Sequence, residues 1–522
     1  MMPSSRSQSG VPTACKLSAL LADMVTVEAV CERDIHGLSL DSRSTRPGDL
    51  FLACRGTLAH GQEFIDAAIK AGAVAVAYEL NTDATDAAQA GNADIRARLP
   101  VPLFGIANLS QQMGLIADRF YRHPSGELQV IGVTGTNGKT SISHFLAQAL
   151  SAGPNTPRCG IIGTLGNGLY GNVAMGSHTT PDALTLHALL DGMRNQGALS
   201  VVMEASSHGL EQGRVNHVAF DTAIFTNLSR DHLDYHLTMA AYAAAKRRLF
   251  QMPGLKKAVI NADDAFGREL LSVLPATVRA LAYGFAPLHP ELRNRAGVWG
   301  SNVQLSMNGF EMDVSSPWGE GRLCSPLLGR FNAANLLAVL GVLLLNGIPL
   351  AEALRRAAEI NTIPGRMERF SAPGKPLVVV DYAHTPDALA QVLSTLREHL
   401  TRGARLWCVF GCGGERDRGK RPLMGAMAEE FADYVVITDD NPRHEDPLGI
   451  ITDILAGLAN PDGVYIQRLR AQAIAFAITY ARPGDIVLIA GKGHESHQYI
   501  GAQKFPFSDR QHAIDLLNKA AQ

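Results

Sequence analysis

Cysteine is scarce, with seven residues scattered over a chain of 522. That number excludes a disulfide framework and favours a reducing compartment, the cytoplasm. A surplus of charge is also missing: 47 Lys+Arg stand against 49 Asp+Glu, for a net of −2. Such balance argues against a broad basic surface for nucleic acid. Long apolar runs are absent too. The longest, Leu336 to Leu345, has ten residues, half of the roughly 20 that a bilayer span needs, so it reads as a buried core helix and no membrane span is expected. Residues 1–14 lack the apolar stretch of a leader and read as a flexible tail. Charged residues make up only 18% against 46% apolar, which excludes disorder as a description of the whole. What remains is a globular chain of three to four domains, at roughly 150 residues each.

Strand and helix patterns alternate nearly throughout, predicting parallel sheets covered by helices. Asp49–Cys54, Ala73–Tyr78 and Pro100–Ile106 read as strands, with helices at Phe64–Ala71 and Leu109–Tyr121; Asn81–Ala93 is polar, a loose helix or insertion. His123-Pro-Ser-Gly126 is a first linker. Strands follow at Leu128–Val133, Ser200–Met203, Thr222–Thr226 and Ala258–Asn261, and a small antiparallel addition fits residues 280–328. A helix from near Asn332 leads to a second linker, Ile363-Pro-Gly-Arg366. The last third restarts with Leu377–Asp381, Leu406–Phe410, Tyr434–Thr438 and Asp485–Ala490, each followed by a Gly-, Pro- or Asp-containing loop. In open α/β sheets ligands gather at the carboxyl ends of strands, so chemistry is expected in those loops.

The sharpest local signal is Gly135-Thr136-Asn137-Gly138-Lys139-Thr140, between a strand and a helix. Backbone amides of such a turn cradle phosphates, Lys139 reaches the β/γ-phosphates, and the Thr140 hydroxyl meets Mg²⁺. The strand Val201–Met203 ends in Glu204, a natural second Mg²⁺ ligand, since that ion prefers few carboxylates with phosphate and water. A Ser-His hydrolase at Ser206-Ser-His208 would lack the Gly-x-Ser-x-Gly elbow. His232 and His236 stand four apart, a zinc spacing without the zinc-protease signature; His232 reads as a site residue beside the nucleotide. Lys246, in Ala-Ala-Ala-Lys-Arg-Arg, reads locally as a solvated helix lysine. In the last third, Gly411-Cys-Gly-Gly-Glu-Arg416 and Asp439-Asp440-Asn441-Pro442-Arg443 look like a clamp for anions, and Gly491-Lys-Gly-His-Glu495 supplies an acid for an ammonium. Two arginines and one glutamate at strand ends suit a zwitterionic amino acid. Cys408 and Cys412 read as small buried residues.

Taken together, the chain resembles the Mur ligases, the ATP-dependent amide-forming enzymes of peptidoglycan precursor synthesis. The likeness runs from about Leu38 to Ser508. It rests on nine ordered motifs: Leu40-Asp-Ser42-Arg, the phosphate loop, Thr179-Thr180-Pro181, Glu204-Ala-Ser-Ser-His208, Asn227-Leu-Ser-Arg-Asp-His232, Asn332-Ala-Ala-Asn335, Pro364-Gly-Arg366, Asp381-Tyr-Ala-His384 and Asp440-Asn-Pro-Arg443. The resemblance implies an α/β protein of three domains. Residues 1–125 would bind the uridine end of the substrate through Leu40, Ser42 and the Thr57-Leu58-Ala59 loop. Residues 126–364 would form a P-loop ATPase domain, and 365–522 a Rossmann-like amino-acid-binding domain. It further implies that Thr140, Glu204, His232 and Lys246 serve Mg²⁺, Lys246 as a carbamate, against its local reading. Asn332, Arg366 and Asp381 would contact ATP; Thr179, Thr180, Ser206, Gln212 and Arg214 would face the UDP-muramoyl-dipeptide. His178 departs from the asparagine that relatives often carry there.

The form Asp440-Asn-Pro-Arg443 is that of members adding meso-diaminopimelate. Chemistry agrees, since diaminopimelate is lysine with a second carboxylate that Arg443 and Arg416 would pair, while Glu495 and the Gly491 carbonyl would hold its ammonium. The reaction implied is phosphorylation of the D-glutamate carboxylate by ATP, then attack by the amine, with closure bringing the reactants together. Lysine addition by the same chemistry, a folylpolyglutamate synthetase-like ligase, and a non-catalytic UDP-sugar or nucleotide-binding protein are the rival readings. A monomer is expected.

Overall fold

The computed structural model describes residues 14–56, 60–80, 99–153, 156–176, 178–229, 231–285 and 295–518. The expected contacts at Thr57, Leu58 and Ala59, the stretch Asn81–Ala93 and residues 1–13 of the expected tail lie outside these. Three largely parallel sheets carry the architecture. In the first, Gly37–Ser39, Asp49–Ala53, Ala75–Leu80 and Leu103–Ala107 lie side by side in chain order. Asp49-Leu-Phe-Leu-Ala53 is buried at every position because both faces are covered. Leu50 and Leu52 pack with Leu109 and Ile116, whereas Phe51 and Ala53 pack with Ile65 and Ala68, the two-residue alternation of a strand. The expected helix from Phe64 begins instead at Ile65, after a 3₁₀ turn over Gly61–Phe64. A local capping box explains the delay: the His60 ring accepts from Gln62 N–H, and the Glu63 carboxylate returns to the His60 N–H.

The second sheet runs Asn172–Ala174, Gly166–Leu169, Gly160–Gly163, Ser200–Glu204, Gln129–Thr134, Phe220–Phe225, Lys257–Asn261, Arg279–Phe285. From Gly160–Gly163 onward neighbouring strands are parallel. The expected antiparallel addition therefore starts later than residue 280, because Arg279–Tyr283 still pairs parallel with Lys257–Asn261. The antiparallel part is the meander Gly297–Ser306, Gly309–Ser316, Gly319–Ser325. Helix Arg330–Leu345 is apolar from Leu336 onward, where Leu336–Leu340 and Val342–Leu345 are buried, as expected of a helix segment covered all round.

In the third sheet the order is Glu368–Phe370, Leu377–Asp381, Ile486–Ala490, Leu406–Phe410, Tyr434–Ile437, Tyr465–Ile466, parallel except at the first strand. The chain skips one position after Leu377–Asp381, and Ile486–Ala490 fills it later. Cys408 and Cys412 are buried within this sheet's core, as read from sequence. Among the described residues two compact units are distinguishable, one running to Tyr283 and including Gly341–Asn346, the other made of Val298–Leu340 and the residues from Gly347 onward. Within the second unit the meander is clamped to the third sheet. Arg369 donates to the carbonyls of Met307, Asn308 and Pro326. The buried ring of His399 accepts from the Gly329 N–H at 2.8 Å through Nε2 and lies 2.6 Å from the Ser306 carbonyl through Nδ1.

Candidate active site

In the first unit three adjacent strands, Ser200–Glu204, Gln129–Thr134 and Phe220–Phe225, deliver their carboxyl ends side by side, with Val133 opposite Glu204 and Thr134 opposite Phe225. The phosphate loop follows the middle strand. Gly135 and Gly138 have φ of +149° and +86°, conformations that L side chains rarely adopt. A Cβ on Gly135 would lie 1.8 Å from Thr226 Oγ1. Helix Lys139–Leu150 then starts without a side-chain cap and buries Ile142, Phe145, Leu146 and Ala149; a helix N-terminus behind a glycine turn is a place where anions bind. Neighbouring residues hold the loop in shape. The Thr136 N–H donates to the Asn227 carbonyl, the Asn137 N–H to Asn227 Oδ1, and Thr226 Oγ1 to the Asn137 carbonyl.

Lys139 Nζ donates to the carbonyls of Gly135 and Thr136 at 2.9 and 2.8 Å. Lys246 Nζ donates to the same Gly135 carbonyl at 2.7 Å. Two lysine side chains thus meet at one oxygen. Helix Met239–Arg247 is capped by Thr238 and turns Tyr242 and Lys246, four apart, to one buried face. Lys246 is 1% exposed and lies 4.1 Å from the centre of the Tyr242 ring. The solvated lysine expected from its local sequence is therefore corrected. Burial, and then the charge of Lys139, push its amine down to about 6.

Glu204, 1% exposed, accepts from Thr140 Oγ1 at 2.9 Å and from both the N–H and hydroxyl of Thr164. Burial raises its carboxyl above the usual glutamate value. Thr140 and Glu204 form an oxygen-donor pair beside the phosphate loop, the hard set that suits Mg²⁺. No cluster of three or more His, Cys, Asp or Glu suited to a metal occurs among the described residues. His232, at φ +52°, sits in an aromatic wall, its ring 5.0 Å from His208 and 6.1 Å from Tyr242. Tyr242 thereby borders both His232 and Lys246.

One arrangement was not legible in the sequence. His236 Nε2 lies 2.9 Å from Ser207 Oγ and Nδ1 lies 3.0 Å from Glu211 Oε2. Ser, His and acid stand in line, but Ser207 and His236 are buried, and the line holds the His236 ring against His208 and Tyr242. Only the spacing Ser207, Glu211 on one short helix hinted at it. The expected dipeptide-facing residues form a single network. Thr180 Oγ1 donates to the Glu204 carbonyl at 2.8 Å and accepts from the Ser206 N–H; Arg214 donates to the Thr180 carbonyl and grips Gln212 Oε1 twice. Thr179 meets the Thr164 hydroxyl at 3.1 Å, and His178 is exposed. Leu40 and Ser42 lie just past the first strand of the first sheet, half-buried, beside the Asp41–Arg43 ion pair.

In the second unit the loops after Leu377–Asp381, Leu406–Phe410, Tyr434–Ile437 and Ile486–Ala490 share one sheet edge. Arg443 and Arg416 flank Gly413: a Cβ there would lie 3.1 Å from Arg443 Nη1 and 3.6 Å from Arg416 Cγ. Arg443 donates to the Gly414 carbonyl at 2.7 Å. Asp440 is buried with Arg470 at 4.0 Å, and burial raises its carboxyl. Gly491, at φ +112°, passes so close that a Cβ would lie 2.7 Å from Asp440 Oδ2. Asn441 Nδ2 donates to Glu495 at 2.9 Å; Pro442, buried, puts its carbonyl where a Gly414 Cβ would be 1.9 Å away. The Asp440–Arg443 turn, Gly413 loop and Gly491–Glu495 turn are therefore one constellation. Asn332, Arg366 and Asp381 are each held within this unit: Asn332 by the Leu328 carbonyl and Asn335, Asp381 by the amides of Met367 and Ala383, Arg366 over the Tyr382 ring.

Comparison with known proteins accords with this geometry. Residues 34–121 match the Mur ligase family catalytic domain, 133–343 the Mur ligase middle domain, and 365–493 the Mur ligase glutamate ligase domain. The chain belongs to the Mur ligase family. Among Mur ligases, UDP-N-acetylmuramoyl-L-alanyl-D-glutamate–2,6-diaminopimelate ligase of Alkalilimnicola ehrlichii is 48% identical over 504 residues, 97% of this chain and 99% of that protein. The enzyme of that name from Pseudomonas aeruginosa is 50% identical over 488 residues, 93% and 96% of the two chains. A solved structure, also of a UDP-N-acetylmuramoyl-L-alanyl-D-glutamate–2,6-diaminopimelate ligase, superposes with a TM-score of 0.72 at 37% identity, covering 97% of this chain and 99% of that one. The three-domain architecture of the Mur ligases is thus the architecture here.

Proposed function

We propose that this Mur ligase joins meso-2,6-diaminopimelate to UDP-N-acetylmuramoyl-L-alanyl-D-glutamate at the expense of ATP, releasing ADP and phosphate, a step of peptidoglycan precursor synthesis. The observation that carries the substrate choice is the pair Arg443 and Arg416 flanking Gly413, joined to near-half identity with two enzymes of that name along almost the whole chain. The same reading assigns residues 1–125 to the UDP-substrate, 126–364 to ATP and 365–522 to the amino acid, in a cytoplasmic monomer.

In the first step the D-glutamate carboxylate attacks the γ-phosphorus of ATP, giving an acyl phosphate and ADP. Loop amides at 135–140 hold the phosphates, and Lys139 swings from its two carbonyl acceptors to offset their growing charge. Thr140 and Glu204 would hold Mg²⁺, which supplies Lewis-acid neutralisation of phosphate oxygens; His232 and Lys246 complete the residues assigned to it. The amine of diaminopimelate then attacks the acyl carbon, a tetrahedral adduct forms, loss of the amine proton and departure of phosphate leave the amide. Arg416 and Arg443 pair the distal carboxylate of diaminopimelate while Glu495 and the Gly491 carbonyl take its distal ammonium.

The low proton affinity of Lys246 supports its conversion to a carbamate. Carbon dioxide is attacked by a neutral amine, forming a N–C bond and releasing one proton, and Lys246 is neutral above about pH 6. The product carboxylate would place an anion beside Lys139. The decisive assay offers meso-diaminopimelate and L-lysine side by side with ATP and UDP-muramoyl-dipeptide. Product with diaminopimelate alone is expected; equal rates would sink the specificity, and no amide with either would sink the ligase.

A further inference from the structure

Between Gly491 and Gly493 stands a lysine that neither sequence motif nor family resemblance assigns. The two glycines have φ of +112° and +52°, and a Cβ on Gly493 would lie 2.8 Å from the Gly365 carbonyl oxygen and from Tyr382 Cβ. The turn they make sends Lys492 inward, where its side chain is 0% exposed. Its ammonium donates to Asn441 Oδ1 at 3.0 Å and to Glu495 Oε2 at 2.8 Å. Asn441 Nδ2 donates to the same Glu495 oxygen at 2.9 Å, so three side chains close a ring. Asn441 Oδ1 also accepts the Tyr499 N–H at 3.0 Å, which ties the hairpin His497–Ile500 and Gln503–Pro506 to the ring. Burying an ammonium is tolerated only where a partner anion and good hydrogen bonds answer it, and this one has both.

Resting on the diaminopimelate reading, we infer that Lys492 is a positioning and specificity-determining residue: it fixes Glu495 and Asn441 in the amino-acid site and cancels the Glu495 charge there. Glu495 is 31% exposed and commits one oxygen, Oε2, to the ring. It meets a substrate ammonium with its direction already set rather than as a free anion. Once Lys492 and Glu495 offset each other, the surplus at these loops belongs to Arg416 and Arg443. A side chain carrying both an ammonium and a carboxylate suits that surplus; one carrying an ammonium alone does not. Without the Lys492 charge, Glu495 and the buried Asp440 would tilt the site toward a bare ammonium, and the preference would move toward L-lysine.

The test is steady-state kinetics of the full chain with ATP, UDP-muramoyl-dipeptide and either meso-diaminopimelate or L-lysine. Lys492→Met removes the charge at similar length, Lys492→Gln keeps a donor for Asn441 without charge, and Lys492→Arg keeps the charge. For Met and Gln we expect KM for diaminopimelate to rise about tenfold or more, with KM for ATP and for the UDP-substrate within about twofold. The ratio of kcat/KM for diaminopimelate over lysine should fall about tenfold, and Arg should recover part of it. If Met fails to fold, Gln and Arg carry the comparison. An unchanged diaminopimelate KM, or an equal rise in all three KM values, overturns the inference. A wild-type chain that makes no diaminopimelate product overturns the reading beneath it instead, so the two failures are told apart.

Discussion

The phosphate loop and the amino-acid loops handle buried positive charge in opposite ways. At the phosphate loop two lysines converge on one carbonyl, and burial, with crowding by Lys139 second, drives Lys246 down to about 6. At the amino-acid loops each buried cation has its own carboxylate: Lys492 has Glu495, Arg470 has Asp509, and Arg421 has Glu445 and Asp453. Burial with like-charge crowding lowers an amine's proton affinity; pairing makes a scaffold beside Arg416 and Arg443, the pair proposed to meet the ligand. The first site is tuned by burial and then repulsion, the second by neutralisation.

The largest effect should come from breaking the crowded site. Lys139→Ala removes the charge that follows the transferred phosphoryl group and should lower kcat by about 10³-fold, read as ADP release. Lys246→Ala should cost about 10²-fold or more, and added formate or acetate, occupying the vacated space as a carboxylate, should restore part of the rate. Failure of both acids to raise the activity of a folded variant would remove the support for a carbamate. The pH profile sharpens the point. An unfolded lysine keeps its proton to about 10.5, folded Lys246 releases it at about 6, so the unfolded chain binds more protons between these values. Stability should therefore rise with pH across that window. At constant dissolved carbon dioxide the rate of carbamate-dependent activation should rise through about pH 6, and Lys246→Ala should abolish that rise and remove this contribution to the stability trend.

On the paired side, effects should be smaller and confined to selectivity. Arg443→Ala should cut the preference for diaminopimelate over lysine by about 10- to 100-fold while leaving ATP binding intact; an unchanged ratio would assign the carboxylate to another residue. The smallest effect is expected at Arg418, 69% exposed on the outer side of the same Glu445–Asp453 pair. Arg418→Ala should leave melting and kinetics unchanged, because solvent screens such a pair. A clear loss there would mean that pairing, not burial, sets the stiffness of these loops.

What could be read from sequence follows how local each signal is. The phosphate loop was legible because strand, turn and helix are contiguous. Leu377–Asp381 and Leu406–Phe410 emerged with the bounds expected, since strands covered on both faces read as unbroken apolar runs. Strand ends elsewhere moved by one to three residues, as at Leu103–Ala107 against the expected start at Pro100. Lys246 misled because three alanines and two arginines around it resemble an exposed helix, and its burial depends on Tyr242 and the distant Gly135. Lys492 and the Ser207–His236–Glu211 line were missed for the same reason. Their partners are brought together by the fold, across as many as 51 positions of sequence in the case of Asn441.

The guanidinium of Arg369 and the ring of His399 have a practical meaning for anyone cutting this chain. Both belong to the stretch after the Pro364 linker, yet the atoms they bind, at Ser306 to Asn308 and Pro326 to Gly329, precede it. A fragment starting at Gly365 would carry away two polar groups shaped to fit carbonyls and an amide left behind, and each piece would expose what the other had satisfied. Scissors placed at the covalent linker would pass through a hydrogen-bonded seam. A fragment meant to stand alone has to take the meander along.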